Sequence, residues 1–358
     1  MAKTLPSAIG VDLGEFTLKL VLIQRKGASR YALAGFSVIE LGDEPLTEAV
    51  LAEKLKAGLK EISGSSKYAS VAVSSRGAVL RIIEQPPTPP EYLRKAIALN
   101  SMTLLNQDCK DYVLDCDQLD ADTPPSEQEK EEGGEPAAPR AKKKLVRYLV
   151  GGIQRSRIGF LQQAFGKCRQ SLMNVQLAPV SNMNAFAASN GDGFKAASFM
   201  LVDVGHEETS VLMGVEGDLR LVRTIDYGGK VFLDAVTAGG AIEAHAATML
   251  LQQGDAGMAE ASRMTIMQLA REIQSSIAFF EGQHEYTVRE IFVSGAICRA
   301  ELPLQMLSDE LDLPCQLWDP FANVEVLLNQ KRREELSYSY VQLGAAFGAA
   351  LEILDRRA

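Results

Sequence analysis

An α/β fold built from two related halves is predicted by three observations. The same turn is written twice: Ile9-Gly10-Val11-Asp12-Leu13-Gly14 followed by Thr17, then Met200-Leu201-Val202-Asp203-Val204-Gly205 followed by Thr209. Each turn opens the same series of predicted elements, three strands, a helix and a further strand. The first half carries a long insertion before the second begins. A repeat of this kind predicts one supersecondary plan used twice, with the two copies closing on each other.

In the first half, apolar runs at 8–13, 17–24 and 31–39 read as strands, and Leu51, Leu55, Leu59 and Ile62 fall at helical spacing. A strand at 70–74 follows. The insertion starts with a strand at 76–84, broken by Pro86-Pro87-Thr88-Pro89-Pro90, because proline cannot donate to a ladder. A helix over 91–105 and a strand pair at 112–114 and 146–151 come next. Between that pair, 119–144 is rich in Pro, Gly, Asp and Glu and ends in three lysines. It has too few apolar residues to offset its ordering entropy and is expected to be disordered. An amphipathic helix is expected over 155–172, with Leu161, Phe165, Cys168 and Leu172 on one face. In the second half, strands are expected at 198–204, 209–215 and 219–225, with Gly217-Asp218 marking a hairpin. Helices over 231–253 and 265–281 flank a break at 254–257, and a strand at 290–294 follows. The segment 340–354 is rich in Ala and Gly and suits a helix lying close against a sheet.

Composition narrows the function. The chain has 358 residues, 46% hydrophobic, with net charge −9, a mean hydropathy of −0.02 and a pI near 5.1. That balance argues against a broad nucleic-acid surface. No run of about 18 apolar residues predicts a transmembrane helix, and the first residues lack the apolar core of a signal peptide. A cytoplasmic protein without direct membrane insertion is expected. Five scattered cysteines, Cys109, Cys116, Cys168, Cys298 and Cys315, fit reduced thiols better than disulfides or zinc.

The chemistry lies in the turns. An apolar strand ending in Asp-x-Gly and turning straight back lets backbone amides approach a phosphate, while the aspartate can hold magnesium, usually through water. Candidate ligand residues are therefore Asp12, Gly14 and Thr17 in one turn and Asp203, Gly205 and Thr209 in the other. Gly228, Gly229 and Lys230 open a helix whose free amides would favour a phosphate. Ser294, Gly295 and Ala296 end a strand in small residues, against which a ribose or flat ring can lie. Other motifs fail. Gly159 with Gly166-Lys167-Cys168 has the wrong spacing for a P-loop. Gly191-Asp192-Gly193 precedes a strand instead of following it. His206, His245 and His284 are isolated in sequence, and no Gly-x-Ser-x-Gly nucleophile elbow is present.

The duplicated turns, with Ser294-Gly295-Ala296, resemble the actin, Hsp70 and sugar-kinase fold. Within it, IGVDLGEFTLKLV at 9–21, LVDVGHEETSVLM at 201–213, DYGGK at 226–230, LAREIQSSIAFF at 269–280, IFVSGA at 291–296 and LDLPCQLWDPF at 311–321 resemble the PilM family of type IV pilus machines. They also resemble the related cytoplasmic domain of type II secretion GspL proteins. The resemblance implies duplicated actin-like, ribonuclease H-like domains with an FtsA-type inserted subdomain. The implied boundaries are a first core over 1–74, the insertion over 75–178, a second core opening at 179–227, a helical subdomain over 228–285 and a completion over 286–358. It implies a non-enzymatic scaffold that binds ATP and magnesium, recruited to the inner face of the cytoplasmic membrane. The implied partner is the cytoplasmic tail of a PilN-like single-span inner-membrane protein, held in a groove near 91–105, with self-association an open partner class. A scaffold that no longer binds nucleotide and a sugar-kinase-like phosphotransferase are the rival readings.

Four positions depart from the family pattern. Glu15 stands where a small hydroxyl residue is usual, Glu207 and Glu208 follow the second turn, and Ala296 replaces the second glycine of Ser-Gly-Gly. A carboxylate about 4 Å from a phosphate costs up to ~4 kcal/mol at an effective dielectric of 20, nearly three decades of affinity. These acids must therefore point away, pair with a cation, or abolish binding.

Overall fold

The computed structural model describes residues 5–27, 30–42, 44–62, 64, 66–119, 145–196, 198–237, 256–283, 286–299 and 301–355. The chain divides into two units, one made of residues 1–76 and 157–358, the other of residues 77–156.

The first unit contains both halves of the repeat. Strands β1 (Ser7–Leu13), β2 (Thr17–Arg25) and β3 (Tyr31–Glu40) form an antiparallel meander, followed by α1 (Glu48–Glu61) and β4 (Tyr68–Val73). Thr47 caps α1 by accepting from the Val50 amide at 3.2 Å, satisfying one of the donors a helix start leaves open. The second unit runs through β5 (Val79–Gln85), α2 (Pro90–Leu99), α3 (Ser101–Leu105), β6 (Tyr112–Gln118) and β7 (Val146–Gln154). The chain continues with α4 (Arg155–Lys167), β8 (Ser171–Leu177) and α5 (Ala178–Ala196). The second half then repeats the plan with β9 (Ser198–Val204), β10 (Thr209–Val215), β11 (Asp218–Ile225), α6 (Gly229–Thr237), α7 (Ala256–Gln283) and β12 (Ile291–Ser294). It closes with α8 (Glu301–Leu311), β13 (Cys315–Leu317), β14 (Glu325–Val326), α9 (Gln330–Ser339) and α10 (Gly344–Asp355).

Two mixed sheets result, ordered β14-β3-β2-β1-β4-β8 and β11-β10-β9-β12-β13. The repeat is one of register as well as order. In the first sheet Asp12 lies opposite Lys19, and in the second Asp203 lies opposite Ser210, each pair seven residues apart. The β10–β11 hairpin turns through Glu216 and Gly217, both at positive φ (52° and 81°), as a type I′ turn requires.

The halves are joined by α10, a helix of small residues. A side chain at Gly10 of β1 would lie 1.8 Å from the Ala346 carbonyl, and one at Gly348 would lie 1.7 Å from the Ser181 carbonyl in α5. Backbones this close leave no room for a Cβ, so glycine at these positions sets the packing distance between helix and sheet. Under the second sheet, Trp318 is almost fully buried against Phe186. Its indole N–H donates to Ser189 Oγ at 2.8 Å, the partner a buried tryptophan needs.

The unit at 77–156 has its own core. Its three-stranded sheet, ordered β5-β7-β6, packs Tyr148 and Val150 with Leu93, Ile97 and Cys109. The Tyr148 hydroxyl accepts from the Thr88 amide and donates to the Thr88 carbonyl, both at 2.8 Å, pinning the proline-rich loop.

Several elements differ from the sequence reading. The helix expected over 91–105 is two helices parted at Asn100, and the one expected over 155–172 stops at Lys167. Leu172 instead lies in β8, which joins the first sheet beside β4. The inserted unit is accordingly 77–156, narrower than the expected 75–178. The strand starting at 112 runs on to Gln118. The segment 120–144, the extension of a helix to 253, the break at 254–255, and His245 and His284 lie outside the described residues. No described helix is long and apolar enough to cross a membrane. None of the five cysteines is in a disulfide.

Candidate functional site

The ends of β1 and β9 face a cleft of about 550 Å³ lined by both sheets, within the size range of small-molecule sites. The two turns have one geometry. The Gly14 amide donates to the Thr17 carbonyl at 3.1 Å, and the Gly205 amide donates to the Glu208 carbonyl at 2.9 Å. Glycine is needed here because a Cβ on Gly205 would lie 2.8 Å from that same carbonyl.

This shared closure corrects the expected pairing of Thr17 with Thr209. The true counterpart of Thr17 is Glu208, and that of Thr209 is Leu18. Strand side chains alternate, so a shift of one residue turns a side chain to the opposite face. Thr209 accordingly does not line the cleft. Its hydroxyl is buried and donates to the Tyr227 carbonyl at 2.6 Å. Thr17, Lys19, Glu208 and Ser210 line the cleft instead.

Lys19 escaped the reading of the turns, although its alternation with Thr17 was available as a signal. Its Nζ donates to Asp12 Oδ2 at 2.8 Å, with side chains only 15% and 9% exposed. Burial opposes the lysine charge, but Asp12, Asp203 and Glu15 outweigh it and raise the pKa above the usual value. Asp203 shows the opposite balance. Burial raises its pKa despite the charge of Lys19, and Asn182 Nδ2 donates to its Oδ2 at 2.9 Å. Asn182 is a second residue the sequence did not reveal. It comes from α5, far from either turn in the chain.

The remaining candidates separate. Gly229 lines the cleft, while Gly228 and Lys230 do not. The amides of Gly229 and Lys230 donate to the carbonyls of Gly205 and His206, both at 2.8 Å. These helix-start donors are thus spent on the second turn and are not free for a phosphate. Gly228 is required by that packing, since a Cβ there would lie 2.5 Å from the His206 carbonyl. Ser294, Gly295 and Ala296 all line the cleft. Ser294 Oγ donates to the Val341 carbonyl at 2.7 Å, and Gly295 has a φ of +108° with no room for a Cβ beside Val204. Next to them Arg299, also on the cleft wall, lies over the Tyr338 ring at 5.3 Å.

The three acids resolve differently. Glu207 pairs with Arg76 and lies 4.0 Å from Lys230 Nζ. Glu208 turns to Ser74 and Ser75, where its Oε1 accepts from Ser74 Oγ, the Ser75 amide and Ser75 Oγ at 2.9–3.1 Å. Glu15 lines the cleft. The donor set fits a magnesium-bound nucleotide. Two aspartates and a charged lysine share the cleft with the small residues Ser294, Gly295 and Ala296, and Ser294 lies beside Asp203 in register. Among the described residues no group of three His, Cys, Asp or Glu side chains forms a direct metal shell.

Two mixed sheets, each opening a cleft with an Asp-x-Gly turn, define a duplicated actin-like protein. Residues 167–354, more than half of the chain, match the family described as type IV pilus assembly protein PilM, and the chain belongs to that family. Among solved structures, it is similar to a PilM–PilN type IV pilus biogenesis complex with a TM-score of 0.81 and 21% identity, covering 99% of this chain and 100% of that one. The ethanolamine utilization protein EutJ from Carboxydothermus hydrogenoformans follows at a TM-score of 0.54 and 13% identity, over 98% of this chain and 91% of that one. Component A of the (R)-2-hydroxyglutaryl-CoA dehydratase of Acidaminococcus fermentans gives 0.50 and 10%, over 97% of each chain. No curated protein matches the chain by sequence.

Proposed function

We propose that this protein is a scaffold of a type IV pilus assembly platform that binds MgATP in the cleft between its sheets. In this reading it also docks the cytoplasmic tail of a PilN-like inner-membrane protein at the inner face of the membrane. Family membership supports the assembly role, and the pairing of PilM with PilN in the similar structure supports the partner. The observation that carries the nucleotide reading is the charged Lys19, paired with Asp12 and favoured by the charge of Asp203, in a cleft of nucleotide size.

The residues divide the work by chemistry. Asp12 and Asp203 would hold magnesium through water, and Asn182 fixes the Asp203 carboxyl so that it need not reorient. Lys19 and Thr17 would meet the phosphates, with Gly14 keeping the turn tight. Gly295 and Ala296 would flank the nucleoside, with Arg299 at its edge. Bound nucleotide would contribute charge that ties both turns together, and any preference for one cleft geometry would be transmitted to the docked tail by linkage.

The test is calorimetric titration with MgATP of the wild-type protein and of Lys19→Met and Asp203→Ala. Micromolar binding that both substitutions abolish supports the reading. No binding at millimolar MgATP overturns the nucleotide part and leaves a docking scaffold on an inherited fold. Steady ADP production with a sugar or carboxylate acceptor overturns the scaffold in favour of a phosphotransferase. A synthetic tail peptide of a PilN-like protein, titrated with and without MgATP, reads the coupling. Equal affinity in both states removes it.

A further inference from the structure

Three consecutive residues of the second turn each grip the other half of the molecule. The His206 ring stacks on Phe16 of the first turn, with centroids 4.9 Å apart and planes 20° from parallel. Glu207 pairs with Arg76 beyond the end of β4. Glu208 stands in the repeat position of Thr17, but its longer side chain crosses to the first half. There it is only 7% exposed and accepts three hydrogen bonds from Ser74 and Ser75. Two further bonds brace that receiving segment. Ser75 Oγ lies 3.0 Å from Thr224 Oγ1 of β11, and Arg157 donates to the Ser74 carbonyl at 3.2 Å.

We infer that residues 206–208 form a built-in clasp that holds the two halves closed at the turn end of the cleft without any ligand. Separating the halves would break the ring stack and the ion pair together and would deprive a buried carboxylate of its three donors. Water would replace those donors on opening, so each hydrogen bond contributes only its net value and the clasp rests on the sum of its contacts. The contacts are cooperative in this sense, because one rigid turn carries all three. The clasp also gives the acids at 207 and 208 a role that does not involve phosphate. This inference stands whether or not the cleft takes nucleotide, since it concerns the ligand-free protein.

The experiment is a pair of spin labels on the full chain, one at exposed Lys56 of α1 and one at exposed Arg271 of α7, with the distance distribution read without nucleotide. The wild-type protein is expected to give one narrow population that MgATP leaves in place. His206→Ala combined with Glu208→Ala is expected to move the ligand-free distribution to longer, broader distances. Glu208→Gln, which keeps an acceptor oxygen, is expected to restore the narrow population. Should the double variant fail to fold, Phe16→Leu with Arg76→Ala removes two grips from the opposite half and is expected to broaden the distribution in the same way. A wild-type distribution that is already broad and narrows on MgATP overturns the clasp. So does a narrow population, unchanged from wild type, in the clasp variants.

Discussion

Asp203 and Lys19 occupy one site but respond to burial in opposite senses. Burial lifts the Asp203 pKa above the ordinary value of 3.8, so the folded chain holds that proton more tightly than the unfolded chain. The contribution to stability is complete below the unfolded pKa and is lost as pH rises through the raised folded one. Asp203→Asn keeps the side-chain shape and removes this loss. Its stability relative to wild type should therefore increase as pH rises from about 4, the reference carboxylate range, toward neutrality, as measured by urea midpoints across that range. The same proton competes with magnesium, so MgATP affinity should strengthen as pH passes upward through the raised pKa, readable by calorimetry. Glu15 makes a second residue-scale test. It lines the cleft without the hydrogen bonds that hold Glu208 on Ser74 and Ser75. Glu15→Ser is expected to tighten MgATP binding about five- to tenfold, since a carboxylate near a phosphate costs on the order of 1 kcal/mol in a water-like medium.

At the scale of elements, the contrast among glycines is informative. Gly348 of α10 has the Ser181 carbonyl where a Cβ would stand, so Gly348→Ala must push α10 away from α5. A loss of about 3 kcal/mol or more is expected, at the upper end for an overpacked core, seen as a lower urea midpoint with an unchanged slope. Gly159 in α4 has nothing within 4 Å of its would-be Cβ. Gly159→Ala should instead stabilise by about 0.5–1 kcal/mol through helix propensity alone. The composition of 340–354 announced close packing. It could not say that β1 and α5 were the surfaces approached, because those contacts join residues more than 160 positions apart.

For the whole molecule, ligand binding and folding are linked. A ligand that binds only the folded chain stabilises it by about 2.7 kcal/mol at a hundred times its dissociation constant. MgATP at that excess should raise the thermal midpoint of the wild type and leave Asp12→Ala combined with Asp203→Ala unmoved in a melting assay. Nucleotide would act on a cleft whose turns are already joined at Phe16 and His206, Arg76 and Glu207, and Ser75 and Glu208.

The sequence by itself determined the two-half plan, the paired Asp-x-Gly turns, the strand alternation and the small-residue helix, since each is a local pattern of residue type and spacing. Asp12, Gly14, Thr17, Asp203, Gly205, Ser294, Gly295 and Ala296 were legible as cleft residues for the same reason. Tertiary structure decided everything that depends on register or distant pairing. The one-residue offset that retires Thr209 and admits Glu208 is set by how each turn closes. The addition of β8 and β14 to the first sheet, the reach of Asn182 from α5 to Asp203, the pairing of Glu207 with Arg76 and the seating of Glu208 on Ser74 and Ser75 are likewise invisible locally. Their partners are brought near only when the chain has folded, and the free energy that selects them is shared among residues far apart in sequence.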